Sequence, residues 1–308
     1  MFPYTASGQQ GYELFSWEGY ALGTDTEIQL YAADKSHADD VVVLVNKLIA
    51  KLENIFSLYD PTSEIIQLNK TGELENASPE MIDLLRISKS FWENTNGAFD
   101  ITVQPLWELY DRFRNDGDQV AFDRDLENVI AMIGSDKIII DGNRASFTRD
   151  GMAISFNGIA QGYITDKACA LLKENGFIHT LIDVGEYRSG GLQWGGDPWR
   201  IGLLDPFDQV SIADIVELDT GGLATSGGYG FVFADDGSKH HLFNPVTGLS
   251  ANQYASVTVI AKDATTADAL STAFSNMSED TIEAFVKDYG KLDVRLTHYD
   301  GTVSHVVS

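Results

Sequence analysis

The 308-residue chain has one cysteine, few basic residues and no long apolar run. The single cysteine, Cys169, excludes an internal disulfide and a cysteine zinc site, and its apolar helical surroundings favour inert packing. No apolar run approaches the roughly 18 residues that a membrane-spanning helix needs. The first twenty residues carry neither a basic n-region nor an apolar h-region, so we expect no signal peptide within this chain.

Basic residues number 21 against 46 acidic ones, which gives a formal net charge of −25. A surface of this sign repels phosphate backbones and argues against nucleic-acid binding. It also means that an anionic ligand needs a cation between itself and the protein. With 44% hydrophobic and 11% aromatic residues, the chain has enough apolar side chains for an ordinary core.

Strand-like and helical patterns are mixed along the chain without strict alternation. Strands are expected at 18–32, 137–156, 179–191, 198–206, 212–233 and 292–308. Helices are expected at 38–60, 78–97, 124–134 and 157–177, with two more within 265–290. The segment 97–113 is expected to be rich in loops. This mixture predicts an α+β fold, a single compact domain with mixed, largely antiparallel sheets and packed helices. We expect an N-terminal tail over 1–15 and the domain over 16–308.

Two short regions are candidate ligand sites. Gly158 and Gly162 flank a tight turn into a helix, whose free N–H groups could face a phosphate, or whose glycines could serve backbone geometry alone. The segment 225–228 is a donor-rich loop or simply a turn. His240 and His241 lie in an expected strand, so only one points inward, as a general base or as a hydrogen-bonded histidine.

Asp268 and Thr272 lie four residues apart, so on a helix both side chains project from one face. A carboxylate with a hydroxyl and a nearby backbone carbonyl suits Mg²⁺, which prefers oxygen ligands. Histidine and cysteine, which zinc favours, are absent from this stretch. On spacing alone the pair is more simply explained as a first-turn helix charge and a packing residue.

Seven segments, in this order along the chain, resemble the ApbE family of FAD:protein FMN transferases. They are LGTDTEIQLY, LENIFSLYDPTSEIIQLN, GAFDITVQPLWELY, NGIAQGYITDKACALL, ATSGGYG, HHLFNPVTG and SVTVIAKDATTADALSTA. Each segment alone is weak evidence for the family, but seven segments in the same order are very unlikely to match by chance. The resemblance extends from about Tyr20 to Ser308.

The resemblance implies an enzyme that cleaves the pyrophosphate of FAD with Mg²⁺. It would attach FMN by a phosphoester to a threonine or serine of an acceptor protein and release AMP. By similarity, Asp268, Thr272 and the main-chain carbonyl of Ala160 would hold Mg²⁺, with Asp268 also catalytic. His241 would activate the acceptor hydroxyl or bind phosphate. Residues that would bind FAD by similarity are Leu22, Tyr59, Ala98, Phe99, Asp100, Asn157, Tyr163 and Phe243. Tyr59 and Phe243 would offer flat apolar surface to its aromatic rings.

Four positions depart from the family pattern. Leu22 replaces a usual methionine and keeps an apolar contact. Gln161 replaces a frequent lysine and so removes a positive charge beside the expected phosphate site. Glu186 stands where a second glycine is usual. Asn244 replaces an aspartate, and the lost carboxylate is expected to weaken a contact around the site or to slow transfer.

Two other functions stay open on the sequence alone. An FAD pyrophosphatase would use the same site with water in place of the acceptor hydroxyl, and a non-catalytic protein would only bind FAD. Intact Asp268 and Thr272 argue against the storage protein, which has no need of a metal at the scissile bond. By resemblance we expect an acceptor in a redox or respiratory system and a periplasmic or exported enzyme; cytoplasmic location stays an alternative.

Overall fold

In the computed structural model, which describes residues 11–114 and 117–308, strands and helices follow one another in mixed order. The strands are β1 (Glu13–Ala21), β2 (Thr24–Ala32), β3 (Glu73–Leu74), β4 (Ile138–Asp141), β5 (Arg144–Phe147), β6 (Thr180–Asp183), β7 (Tyr187–Ser189), β8 (Trp199–Leu204), β9 (Ile212–Leu218), β10 (Gly221–Gly227), β11 (Ser256–Ala261), β12 (Asp293–Thr297) and β13 (Val303–Val307). The α-helices are α1 (Lys35–Phe56), α2 (Glu64–Thr71), α3 (Pro79–Asn94), α4 (Gln104–Arg112), α5 (Gln119–Ile130), α6 (Ala160–Glu174), α7 (Ala264–Phe274) and α8 (Glu279–Tyr289).

An eight-stranded sheet runs through the molecule in the order β1-β2-β6-β7-β10-β11-β12-β13. Every pairing in this sheet is antiparallel, as are those of a three-stranded sheet (β3-β5-β4) and a two-stranded one (β8-β9). Helices α6 and α7 pack together, and α7 also covers β10 and β11. The α+β fold class and the single compact domain predicted from the sequence are confirmed.

The helices form where apolar spacing and capping residues agree. In α1, residues buried at three- and four-residue spacing face the core, and Asp34 accepts hydrogen bonds from the N–H groups of Ser36 and His37 at the helix start. Ser78 caps α3 as predicted, with Pro79 at its first position.

Helix α7 is enclosed on nearly all sides. Ten of its eleven residues are buried, and Thr272 is the half-buried exception. A helix enclosed on all sides needs small side chains where its neighbours approach closely. This explains the run of alanine, serine and threonine that surrounds Asp268.

Gly158 and Gly162 allow α6 to approach α7. A Cβ on Gly158 would lie 2.8 Å from the Thr272 hydroxyl, and one on Gly162 would lie 2.3 Å from the carbonyl oxygen of Ala264. The two glycines thus serve helix packing. The N–H of Gly162 does not face a free phosphate position, because it donates to Asp268.

Several predicted element boundaries were wrong. The segment 97–113, expected to be rich in loops, holds a 3₁₀ turn and the helix α4, while 148–156 adds no strand after β5. The pattern over 18–32, expected as one strand, is a hairpin whose first strand, β1, begins at Glu13. The division into a tail over 1–15 and a domain over 16–308 stays a prediction, and residues 1–10 lie outside the described residues.

The single thiol of the chain is enclosed. Cys169 is 5% exposed, and burial raises the pKa of its thiol, in agreement with inert packing.

None of the helices in the described parts of the chain combines the length and apolar composition of a membrane span.

The helix contact predicts the behaviour of Gly162→Ala. Alanine favours a helix by about 1 kcal/mol over glycine, but the new methyl group would meet a backbone oxygen that cannot move away. We therefore expect a net loss of about 1–3 kcal/mol in the free energy of unfolding, measured in urea. Gly195→Ala is the control, since a Cβ there meets nothing within 4 Å. Equal stability of Gly162→Ala and the parent chain would contradict the close approach.

Candidate active site

Two neighbouring cavities contain most of the predicted site residues. The first has a volume of about 210 Å³ and lies between α6, α7, β10 and the loops that contain Phe99, Asn157 and Phe243. The second, of about 310 Å³, lies beside the β1–β2 turn and the loop after α1, and it shares Asn157 and Gln161 with the first. A larger cavity of about 570 Å³ between α3, α6 and α7 contains none of the predicted site residues.

Asp268 is buried in the wall of the first cavity. Its side chain is 3% exposed, and its Oδ2 accepts a hydrogen bond of 2.9 Å from the N–H of Gly162. This N–H belongs to the first turn of α6, so the positive end of that helix faces the carboxylate. Burial nevertheless raises the pKa of Asp268 to about 7; the Gly162 N–H opposes the rise, and Asp166 adds to it.

The predicted cation ligands line the two neighbouring cavities. Thr272 lines the first cavity with Asp268, one turn along α7, and Ala160 lines the second. The Thr272 hydroxyl lies 3.4 Å from that of Ser226, which is itself hydrogen-bonded to Ser271 at 2.7 Å. No group of three or more histidine, cysteine, aspartate or glutamate side chains in residues 11–114 and 117–308 is placed to hold a metal. The predicted ligands include only one carboxylate, that of Asp268, so they do not form a group of this type.

The charge of the first cavity is entirely acidic. Asp100, Glu186 and Asp268 line it, and neither cavity has a lysine or an arginine in its lining. Glu186 is 9% exposed, and burial together with the charges of Asp268 and Asp183 raises the pKa of its carboxyl group well above the ordinary value. Buried carboxylates without a basic partner are costly unless a proton or a cation compensates their charge.

The two adjacent histidines have different environments. His240 is 1% exposed; its Nδ1 accepts from the N–H of Leu242, and its Nε2 lies 3.2 Å from the amide oxygen of Asn252. His241 lines the first cavity, and its Nδ1 lies 3.2 Å from the carbonyl oxygen of Phe231. That carbonyl only accepts, so Nδ1 carries the proton and Nε2 keeps a free lone pair. The predicted strand here is reduced to isolated bridges.

Asp100 has a structural task at the edge of the first cavity. Its Oδ1 accepts from the N–H and the hydroxyl of Thr102 and from the hydroxyl of Ser135, and its Oδ2 accepts from the N–H of Ser135. Burial raises the pKa of Asp100, although these hydrogen bonds oppose the rise. The carboxylate therefore joins the 3₁₀ turn Ile101–Val103 to the loop before β4.

Asn276, just beyond the end of α7, joins two of the predicted FAD-binding segments. Its side-chain Nδ2 donates to the carbonyl oxygens of Ala98, at 3.3 Å, and Phe243, at 3.1 Å. Phe99 is 2% exposed and Phe243 is 5% exposed, so both line the cavity from within the core. Asn276 was missed by the sequence reasoning, and only its place one turn after Thr272 could have drawn attention to it.

Leu22 and Tyr59 border the second cavity. Leu22 and Gly23 form the β1–β2 turn with φ values of 53° and 79°, the geometry of a type I′ turn. A leucine at positive φ is strained, and its N–H is held by a 3.0 Å hydrogen bond to Glu53. Tyr59 is 91% exposed at the rim, where its ring is free to cover a ligand.

Tyr163 is the one predicted FAD-binding residue that lines neither cavity. It is 2% exposed, and its hydroxyl donates to Asp83 at 2.8 Å, with the ammonium group of Lys167 4.7 Å from the ring centre. The hydrogen bond to α3 turns this side chain away from the cavities. The structure therefore does not bring Tyr163 together with the other candidates.

Two of the departures from the family pattern have a structural account. The Asn244 Oδ1 accepts from the N–H groups of Val246 and Thr247, both at 3.0 Å, so the amide supplies the acceptor that an aspartate would supply to this turn. The Gln161 side chain packs against Gly185, where a Cβ would lie 2.3 Å from its amide nitrogen.

The fold is that of known flavin transferases. The structure aligns with the flavin transferase ApbE from Vibrio cholerae at a TM-score of 0.81 and 26% identity, covering 97% of this chain and 98% of that one. With the ApbE protein of Thermotoga maritima the TM-score is 0.84 at 28% identity, covering 96% and 97%.

Sequence comparison agrees with this class. A Vibrio cholerae relative named FAD:protein FMN transferase is 30% identical over 272 residues, which cover 85% of this chain and 81% of the relative. A Klebsiella pneumoniae relative of the same name is 25% identical over 286 residues, which cover 89% and 81%. Residues 22–296 match the ApbE family, and the chain belongs to that family.

The bridging amide of Asn276 leads to a prediction. Asn276→Asp places a carboxylate against two carbonyl oxygens and should lower the free energy of unfolding by about 1–3 kcal/mol, as for other lost buried hydrogen bonds. FAD affinity should fall with it, because the Ala98 and Phe243 segments are no longer held together. Urea unfolding and FAD titration measure the two effects. Asn128→Asp on the exposed face of α5 is the control, and equal behaviour of both variants would contradict the bridge.

The environment of His241 predicts its titration. Burial lowers the pKa of the ring to about 4, so the ring stays neutral as the pH falls from 8 to near 5. Because the unfolded ring binds a proton at about 6.5, this burial also makes stability fall as the pH drops below that value. An NMR titration of the Cε1 proton, identified by its loss in His241→Ala, measures the pKa. A midpoint near 6.5 would contradict the lowered pKa of this half-buried ring.

Proposed function

We propose that this chain is a FAD:protein FMN transferase that depends on Mg²⁺. The observation that carries the proposal is the first cavity, where buried Asp268 stands beside Thr272 and no lysine or arginine lines the wall. A pyrophosphate entering this cavity would meet only acidic charge. A cation therefore has to accompany it, in a chain of net charge −25.

The donor set fits Mg²⁺ in its chemistry. Asp268, Thr272 and the carbonyl of Ala160 offer oxygen ligands only. When bound, Mg²⁺ would neutralise charge on the pyrophosphate and on the AMP leaving group. The raised pKa of Asp268 supports this role, because a cation beside the buried carboxylate would favour its charged form.

His241 is suited to activate the acceptor. Its neutral ring has Nδ1 committed to Phe231 and an unprotonated Nε2. In the reaction the hydroxyl oxygen of a threonine or serine bonds to the phosphorus of the FMN half, and the bond from that phosphorus to the AMP oxygen breaks. Nε2 of His241 takes the hydroxyl proton, so FMN ends as a phosphoester and AMP leaves.

The two cavities are suited to different parts of FAD. The first contains Ala98, Phe99, Phe243 and the carboxylates, and the second contains Leu22 and the exposed ring of Tyr59. Asn157 and Gln161 line both, so a dinucleotide that spans them would cross these two residues at its pyrophosphate. Tyr59 would then close over the outer ring of the ligand.

The acceptor and the compartment are further parts of the proposal. By family resemblance, the acceptor is a protein of a redox or respiratory system that carries the flavinylated threonine or serine. On the same ground, we propose that the chain acts in the periplasm or after export.

The test is transfer of FMN to a threonine-bearing acceptor domain. With FAD and Mg²⁺, we expect a fluorescent acceptor band on a denaturing gel. One molecule of AMP should be released for each acceptor molecule that is labelled. Asp268→Ala should abolish both signals, and His241→Ala should reduce the rate at least 100-fold, since a general base contributes about 10²–10⁴. FAD binding should survive in His241→Ala.

Other results would favour another function or contradict the role of His241. AMP release without a labelled acceptor would favour the pyrophosphatase. FAD that stays bound and intact in the presence of Mg²⁺ would favour the storage protein. Transfer at the parent rate by His241→Ala would contradict the role of that ring.

A further inference from the structure

Glu186 is a buried carboxylate for which the proposed reaction has no task so far. It follows Gly185, whose φ of 91° takes the left-handed position of the turn between β6 and β7. The side chain of Glu186 is 9% exposed and lines the first cavity together with Asp268 and Thr272. It thus projects into the place where the cation is proposed to bind.

The surroundings of Glu186 do not compensate its charge. The charged groups that act on its carboxylate are Asp268 and Asp183, both acidic, and only the backbone N–H of Thr225 lowers its pKa. No side chain of the described residues donates a hydrogen bond to it, so most of its acceptor capacity is unused. Since an uncompensated buried carboxylate is costly, a cation beside Glu186 and Asp268 is the partner that this cavity lacks.

We propose that Glu186 is a second carboxylate ligand of the divalent cation, and that this chain therefore holds its cation before FAD arrives. The inference rests on the proposed function, in which Asp268, Thr272 and Ala160 supply the other oxygen ligands. Added carboxylate charge raises the affinity of an oxygen site for a divalent cation. A site with Asp268 alone would depend more strongly on the phosphates of FAD as further ligands.

The experiment measures cation binding to the metal-free chain without FAD. Mn²⁺ is the probe, because the electron paramagnetic resonance signal of free Mn²⁺ disappears on binding. We expect the parent chain to bind Mn²⁺, Glu186→Gln to bind it at least tenfold more weakly, and Asp268→Asn to lose binding. Glu283→Gln, on the exposed side of α8, removes the same charge far from the cavity and should bind as the parent does.

Thermal unfolding supplies a second readout. In EDTA, Glu186→Gln should unfold at a higher temperature than the parent, because one of two neighbouring buried carboxylates is gone. Mg²⁺ should then raise the unfolding temperature of the parent more than that of the variant. Glu186→Gly restores the residue that is usual at this position by family resemblance, and it should behave like Glu186→Gln. Agreement of the two variants would show that the effect comes from the lost carboxylate and not from the glutamine side chain.

Two results would overturn the inference. Parent-like Mn²⁺ affinity in both Glu186 variants would remove Glu186 from the ligand set. Absence of Mn²⁺ binding by the parent without FAD would show that the cation does not arrive first. The proposed function fails separately, through absence of Mg²⁺-dependent FMN transfer by the parent, because Mn²⁺ binding is read without FAD or acceptor.

Discussion

The hydrogen bond between the Gly162 N–H and the Asp268 carboxylate is the contact on which the site depends. It requires α6 and α7 to approach so closely that Gly158 and Gly162 have no room for a side chain. The same approach brings the start of α6, with Ala160, toward the face of α7 that carries Asp268 and Thr272. Helix packing and the arrangement of the proposed oxygen ligands are therefore one constraint, and a change to either affects both.

Much of this arrangement could be predicted from the sequence, because it depends on local patterns. Caps and apolar spacing located α3, and four-residue spacing placed Asp268 and Thr272 on one face. What could not be predicted depends on contacts between distant segments. The hydroxyl of Tyr163 is taken by Asp83, Asn276 joins two loops far from it in sequence, and α4 forms where the pattern predicted loops.

The acidic residues are divided between the exposed surface and the interior of the first cavity. Most acidic residues lie on the surface, where water solvates them at little cost, whereas Asp268 and Glu186 are enclosed in one cavity without a basic side chain. Gln161, which lines both cavities, adds no charge to this wall. In the proposed function, the divalent cation would supply the positive charge there.

The enclosure of Cys169 has a practical consequence for studying the chain. As the single cysteine, it offers alkylating reagents and oxidants no accessible thiolate, so the protein needs no reducing environment to stay intact. A cysteine introduced at the exposed position of Tyr59 would be the sole reactive thiol. A dye attached there would report, in real time, when the rim of the second cavity is covered.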